Sequence, residues 1–139
     1  MSLHTFPPFE ELEHTADLRL RVWGSDLKEL FVHAAQGMFH LMRCVPGKPD
    51  KVTRHIALES PDVETLLVDW LNELRYLAET WRECYDSYEI ALLEPTRLEA
   101  IVHGKTDCSP GKIIKAATFF DLHVACDEAG CQAIVTFDT

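Results

Sequence analysis

Near one end of the chain Leu18, Leu20 and Val22 alternate with Arg19, Arg21 and Trp23. Near the other, Ala133, Val135 and Phe137 alternate with Ile134 and Thr136. A period of two is the pattern of a half-buried strand, so the fold must accommodate a strand at each end of a 139-residue chain. An aspartate marks the outer end of each run, Asp17 and Asp138. Each has the opposite parity to the main apolar row and is expected to point off the core face. If the two strands pair antiparallel, the start of the first lies beside the end of the last, and both carboxylates converge with the chain-terminal carboxylate. Such a cluster repels itself unless something positive occupies it, and oxygen-only ligands suit a hard cation such as Ca2+ or Mg2+. Strand ends also carry aspartate for turn geometry alone, so parity leaves both readings open.

Between these strands lie two helical stripes. Gly24-Ser25-Asp26 stops the first strand and starts a helix, with Ser25 expected as N-cap and Asp26 and Glu29 near the positive helix end. Leu27, Leu30, Phe31, Ala34, Met38, Leu41 and Met42 recur at three- and four-residue steps, and Pro46-Gly-Lys-Pro49 ends the stripe. A strand is expected from Val52 to Leu58. Ser60-Pro61-Asp62 predicts a second helix start, with Pro61 at the first helical position. Val63, Leu66, Leu67, Trp70, Leu71, Leu74, Leu77, Ala78 and Trp81 give that helix a wide apolar face and make it the hydrophobic centre. Strands follow at Tyr88 to Leu93 and Arg97 to His103, then a loop over Thr106 to Gly111. A closing hairpin runs from Phe119 to Cys126 and Cys131 to Phe137. The order β-α-β-α-β-β-β-β predicts an α+β fold, a largely antiparallel sheet carrying two amphipathic helices. With no repeat, low-complexity segment or dividing linker, residues 1–139 are expected to form one domain.

The net charge of -10, from 13 Lys+Arg against 23 Asp+Glu, repels polyanions at long range. The basic residues are scattered without interleaved aromatics. Direct nucleic-acid binding is therefore not expected, and a positively charged protein partner or a cation fits the balance better. No run approaches the roughly 20 apolar residues that span a bilayer, and no charged-then-apolar leader opens the sequence, so the expectation is a cytoplasmic chain. Five cysteines without Cys-x-x-Cys spacing do not make a disulfide framework or a structural zinc site. Cys126 and Cys131 flank Asp127-Glu-Ala-Gly130, expected to be a hairpin turn, and are placed to face each other. Reduced, packed thiols are expected throughout.

Candidate chemistry beyond the aspartates is thin. A hydrolase needs a nucleophile beside a base, and there is no Gly-x-Ser-x-Gly elbow, phosphate-cradling glycine loop or His-x-x-x-His helix pair. His33 and His40 stand two turns apart on one helix and are expected at or near the surface. Lys115, Asp121 and His123 share a segment that places them, with Asp17 and Asp138, on one polar face or on an ordinary solvated one.

Several motifs resemble one family. Phe9-Glu-Glu-Leu-Glu-His-Thr-Ala-Asp-Leu followed by Trp23-Gly24 looks like the opening of the archeases, small acidic proteins. The likeness continues through Glu29-Leu-Phe31, Ala34-Ala35 and Met38-Phe39. It returns at Leu67-Val-Asp-Trp-Leu-Asn-Glu-Leu74 and Ile114-Lys-Ala-Ala-Thr-Phe119, and closes at Phe137-Asp138. It implies a protein cofactor rather than an enzyme. Archease-like proteins assist the RtcB-type RNA ligase of tRNA splicing and RNA repair, which uses GTP and manganese and passes through a guanylylated histidine of its own. The helper promotes guanylylation and multiple turnover.

The resemblance also implies a divalent cation, usually assigned as calcium with Mg2+ or Mn2+ possible, held by Asp17, Asp138 and Thr139. Thr139 stands where the family usually ends in an apolar residue, a change that a main-chain or terminal oxygen ligand survives. Phe120 stands where many members carry histidine and is left out of the site. His14 matches the motif, with a structural and a functional role both open. Two other functions remain alongside this one: a small metal-dependent phosphoesterase using the same carboxylates, and a chaperone-like scaffolding module with a purely structural metal.

Overall fold

The computed structural model describes residues 8–12, 17–47, 50–109 and 111–139. Among these described residues, ten strands and two helices follow in the order β1 (Phe9–Leu12), β2 (Leu18–Gly24), α1 (Leu27–Met42), β3 (Val45–Pro46), β4 (Lys51–Glu59), α2 (Val63–Trp81), β5 (Cys84–Glu94), β6 (Arg97–Lys105), β7 (Cys108–Ser109), β8 (Ala116–Thr118), β9 (Ala125–Asp127) and β10 (Gly130–Asp138). The fold is α+β, and every described strand pairing is antiparallel. The strands divide into three sheets rather than one. The order β1-β2-β10-β8, with β9 also on β10, makes the first; β4-β6-β5 makes the second; β3-β7 is a two-strand bridge.

Both helices touch both larger sheets. α1 packs on β1, β2 and β5, and α2 packs on β8, β4 and β5. One core results, with Leu20, Val22, Val135 and Phe137 from the first sheet and Leu98 and Val102 from the second closing on Phe31, Met38, Trp70 and Leu74. Burying each of these large side chains contributes roughly 1.5–3 kcal/mol. Trp70 is wholly buried, and its indole N–H donates to the Phe31 carbonyl at 2.9 Å, which ties α2 to α1 without an unsatisfied donor. Gly37 is where α1 presses on the first sheet. A Cβ there would stand 2.4 Å from a Leu20 methyl and 3.0 Å from the Phe9 ring.

Both helix starts differ from expectation by a residue or two. Asp26, not Ser25, caps α1 by accepting from the Glu29 N–H at 2.9 Å, while the Ser25 N–H donates to the Glu29 carboxylate. Asp62 caps α2 through the Thr65 N–H at 2.8 Å, so Pro61 precedes the cap instead of occupying the first turn. A carboxylate accepts a stronger hydrogen bond than a hydroxyl and complements the helix dipole, which explains both shifts. Among the described residues no helix is long and apolar enough to cross a membrane.

Two expectations are corrected in the last third. Residues 119–124 are not a strand; the chain turns there, with Asp121 in the left-handed region at φ 54° and the Leu122 N–H donating to the Phe119 carbonyl at 3.0 Å. The first strand of that region is instead β8, and the hairpin proper is β9 against β10. Cys126 and Cys131 do face each other there, paired directly in the β9–β10 register, but as a disulfide rather than as reduced thiols. Cys44, Cys84 and Cys108 are free.

A polar cluster that sequence patterning gave no sign of closes the far end of α2. The Arg54 guanidinium lies over the Trp81 ring at 5.0 Å and grips both oxygens of Glu83 at 2.9 and 2.7 Å. Tyr85 donates to the same carboxylate at 2.7 Å. Glu83 is buried, so every one of these contacts is needed to offset the cost of desolvating its charge. The cluster is a structural clamp between α2 and the second sheet.

Candidate functional site at the paired strand ends

β2 and β10 run antiparallel with Leu18 opposite Phe137, Arg19 opposite Thr136 and Leu20 opposite Val135. One further step along both strands sets Asp17 against Asp138, as parity predicts. Leu20, Val22, Val135 and Phe137 are wholly buried on the core side, so the two aspartates belong to the opposite face. β8 lies on the other side of β10, with Ala116 opposite Asp138 and Thr118 opposite Thr136. The Lys115 N–H donates to the Asp138 carbonyl at 2.8 Å. The side chains of Asp138 and Thr139 are exposed and Asp17 is half-buried.

The next rung on the same face is Arg19, Thr136 and Thr118. The Thr118 hydroxyl donates to the Thr136 carbonyl at 3.1 Å and accepts from the Phe120 N–H at 3.3 Å. Arg19 reaches Asp121 at 3.8 Å. Within the described structure Arg19 Nε and Thr136 Oγ1 are both buried without a hydrogen-bond partner. The face therefore carries the carboxylates of Asp17, Asp138 and Asp121 together with the Arg19 guanidinium.

α2 holds this region in place. The Asn72 side chain donates to the Ala117 carbonyl at 3.1 Å and accepts from the Ala117 N–H at 2.8 Å, imitating a neighbouring strand on β8. In the first turn of α2, Glu64 accepts from the Val124 N–H at 3.0 Å. Between these two anchors the turn displays Phe119 and Phe120, 56% and 63% exposed. Phe120 thus presents an apolar ring to solvent.

The register brings Asp17 beside Asp138, Lys115 meets Asp138 through its backbone N–H alone, and Asp121 lies near Arg19. His123 turns instead toward Glu64, 3.8 Å away. His14 lies outside the described residues. Among the described residues no three His, Cys, Asp or Glu side chains gather as a metal site. The donors at the strand ends, two carboxylates and the oxygens of Thr139, have the hardness that a Ca2+ or Mg2+ ion prefers. Such an ion would keep several waters. Arg19 and Asn72 are the participants that sequence reasoning missed. Arg19 follows Asp17 by two on one strand and was legible as a same-face neighbour, whereas the partner of Asn72 lies far along the chain.

The Archease protein family (MTH1598/TM1083) matches residues 9–139. Among similar proteins, the protein archease of Methanosarcina acetivorans is 33% identical over 138 residues, covering 94% of each chain. That of Methanopyrus kandleri is 30% identical over 124 residues, covering 84% of this chain and 89% of its own. Two solved structures share the fold. The solution structure of Methanobacterium thermoautotrophicum protein 1598 superposes with a TM-score of 0.70 at 24% identity, covering 95% of this chain and 99% of that one. The crystal structure of a Thermotoga maritima archease, described as a possible chaperone, gives 0.69 at 22% identity, covering 99% and 100%.

Proposed function

This chain belongs to the archease family, and we propose that, as the family resemblance implies, it is a non-catalytic activator of an RtcB-type RNA ligase and acts through the acidic end where Asp17 meets Asp138. It would promote GTP-dependent guanylylation and repeated turnover of the ligase in tRNA splicing or RNA repair. The juxtaposition of Asp17 and Asp138 across the β2–β10 ladder supports this reading most directly. It gathers negative charge at one exposed edge of a chain that is already acidic. A partner with a positive surface is drawn to that edge.

Asp17, Asp138 and an oxygen of Thr139 would hold one divalent cation, Ca2+ by preference for a flexible all-oxygen site, with Mg2+ or Mn2+ as alternatives. When bound, the ion supplies positive charge between two carboxylates that otherwise repel. This chain's own residues do the rest. Lys115 pins the Asp138 backbone, Asn72 fixes β8 beside it, and Arg19 balances Asp121 one rung away. Any effect on the ligase comes from favouring one of its states, and is limited to the difference in affinity for the two.

Calorimetric titration with Ca2+, Mg2+ and Mn2+ tests the cation part. Asp17→Asn or Asp138→Asn is expected to weaken binding at least about tenfold while leaving the melting temperature of the cation-free protein unchanged. Equal affinity in wild type and both variants would remove the ion from the strand ends. A scaffolding protein with a purely structural ion predicts something different. There, chelation would lower the melting temperature and reduce ligase stimulation only as far as the protein unfolds.

A further inference from the structure

A cavity of about 160 Å³ opens between the C-terminal ends of α1 and α2, and none of its lining residues belongs to the paired strand ends. Met42 ends α1, Ala78 lies in the last turn of α2, Cys108 opens β7, and Ile114 precedes β8. All four line the cavity and are buried, so they form its floor. Ile113 also lines it but is 71% exposed, which puts it at the mouth. Main-chain hydrogen bonds hold these walls together. The Gly111 and Lys112 N–H groups both donate to the Met42 carbonyl, at 2.9 and 3.0 Å, and fasten the 111–114 segment to the end of α1. The Cys108 N–H donates to the Arg82 carbonyl at 2.8 Å and fastens β7 to the end of α2. The space is thus built by bonded backbone and exists before anything enters it, as ligand sites characteristically do.

Size and charge set the chemistry of what fits. An apolar space of this order admits one benzene-sized group. Five charged side chains also line it. Arg75 pairs with Glu79 at 2.8 Å, and Glu83 is gripped by Arg54 at 2.7 Å. Arg82 and Lys112 are exposed and make no ion pair among the described residues. The unbalanced charge at the mouth is therefore positive, in a chain of net charge -10. The floor offers nothing to a sugar or a phosphate, because its one polar side chain, the Cys108 thiol, already donates to the Lys105 carbonyl at 3.2 Å.

We propose that this cavity binds a small ionised carboxylic acid, its benzene-sized apolar group seated among Met42, Ala78, Cys108 and Ile114 and its carboxylate held at the mouth by Arg82 and Lys112. Removing the ring from water supplies most of the affinity. The two cations select the anion over a neutral or positive molecule of the same shape. Because both are exposed, that selection weakens as salt is added, whereas the contribution of the ring does not. Occupancy ties the ends of the two helices to the 111–114 segment and raises the stability of the folded state.

The test is titration of the folded protein with phenylacetate at low salt, followed by amide proton–nitrogen correlation spectra and by melting temperature. Saturable shifts are expected at the amides of Ala78, Ile113 and Ile114, together with a rise in melting temperature. Acetate, which lacks the ring, should give no saturable shift there. Arg82→Gln combined with Lys112→Gln should weaken phenylacetate about fivefold while leaving benzyl alcohol unchanged. Ala78→Leu fills the floor and should abolish binding of both. Ile113→Glu, at an exposed position that the core does not need, should weaken phenylacetate more than benzyl alcohol. The proposal is overturned if phenylacetate gives no saturable shift at these amides on the order of 10 mM, where a fitted ligand of its size binds. It is equally overturned if the shifted amides lie elsewhere, or if the double glutamine variant binds phenylacetate as tightly as wild type.

Discussion

The carboxamide of Asn72 is bonded to both main-chain groups of Ala117, donating to the carbonyl and accepting from the N–H. Ala117 is buried and stands opposite Phe137 in the β8–β10 register. A single side chain of α2 therefore serves as a strand neighbour to β8, which in turn lies beside Asp138. The Leu-x-x-Trp-Leu-Asn-Glu-Leu stretch thus joins two functions of position. Trp70 locks α2 to α1, and Asn72 locks it to the strand beside the acidic end.

Asn72→Ala leaves a buried donor and a buried acceptor of Ala117 unpaired, at a cost of roughly 1–3 kcal/mol. Asn72→Asp keeps the acceptor and loses the donor, and is expected to fall between Ala and wild type. Urea denaturation measures both. A midpoint unchanged in Asn72→Ala would mean that β8 is held by β10 alone.

The Glu83 clamp gives a pH dependence. Burial alone would push its carboxyl up, but the hydrogen bonds from Arg54 and Tyr85 outweigh that and hold it below the ordinary range. A folded carboxyl that binds its proton more weakly than the unfolded one contributes stability that is complete above the unfolded value, about 4.3 for glutamate. That contribution is lost as pH falls through the folded value. Glu83→Gln should be less stable than wild type at pH 7, with the gap narrowing on acidification toward pH 3. Melting temperatures of both proteins across that range are the check, and a constant gap would contradict the account.

Phe119 and Phe120 stand exposed beside Asp121, on the turn between the Asn72 and Glu64 anchors. An exposed aromatic pair next to an acidic site is a typical anchor for a partner surface. Replacing both with serine is expected to lower ligase stimulation several-fold while leaving the melting temperature and Ca2+ affinity unchanged. Undiminished stimulation would place the contact elsewhere.

Strong periodicity made much of this molecule legible beforehand. The alternation at Leu18–Val22 and Ala133–Phe137 located both strands and parity set Asp17 and Asp138 off the core face, while their meeting depended on an antiparallel pairing that the β2–β10 ladder supplies. The apolar stripes of α1 and α2 were equally plain. What escaped has physical reasons. β3 and β7 are two-residue bridges, too short to show a period. Phe119 and Phe120 carry strand propensity, yet the left-handed Asp121 turns the chain before a ladder forms. The Arg54–Glu83–Tyr85 clamp and the Asn72–Ala117 ring join residues distant in sequence, and local patterning carries no record of such meetings. Cys126 and Cys131 were placed face to face by their hairpin, but spacing could not fix their oxidation state.

The most direct test of the central claim is multiple-turnover, GTP-dependent RNA ligation by an RtcB-type ligase from the same source, with this protein added below the ligase concentration. Wild type is expected to raise the number of turnovers, and Asp17→Ala and Asp138→Ala, both folded, are expected to abolish that gain. Full stimulation by both folded variants would contradict the role of the acidic end. No stimulation by wild type, with the ligase itself active, would contradict activation altogether.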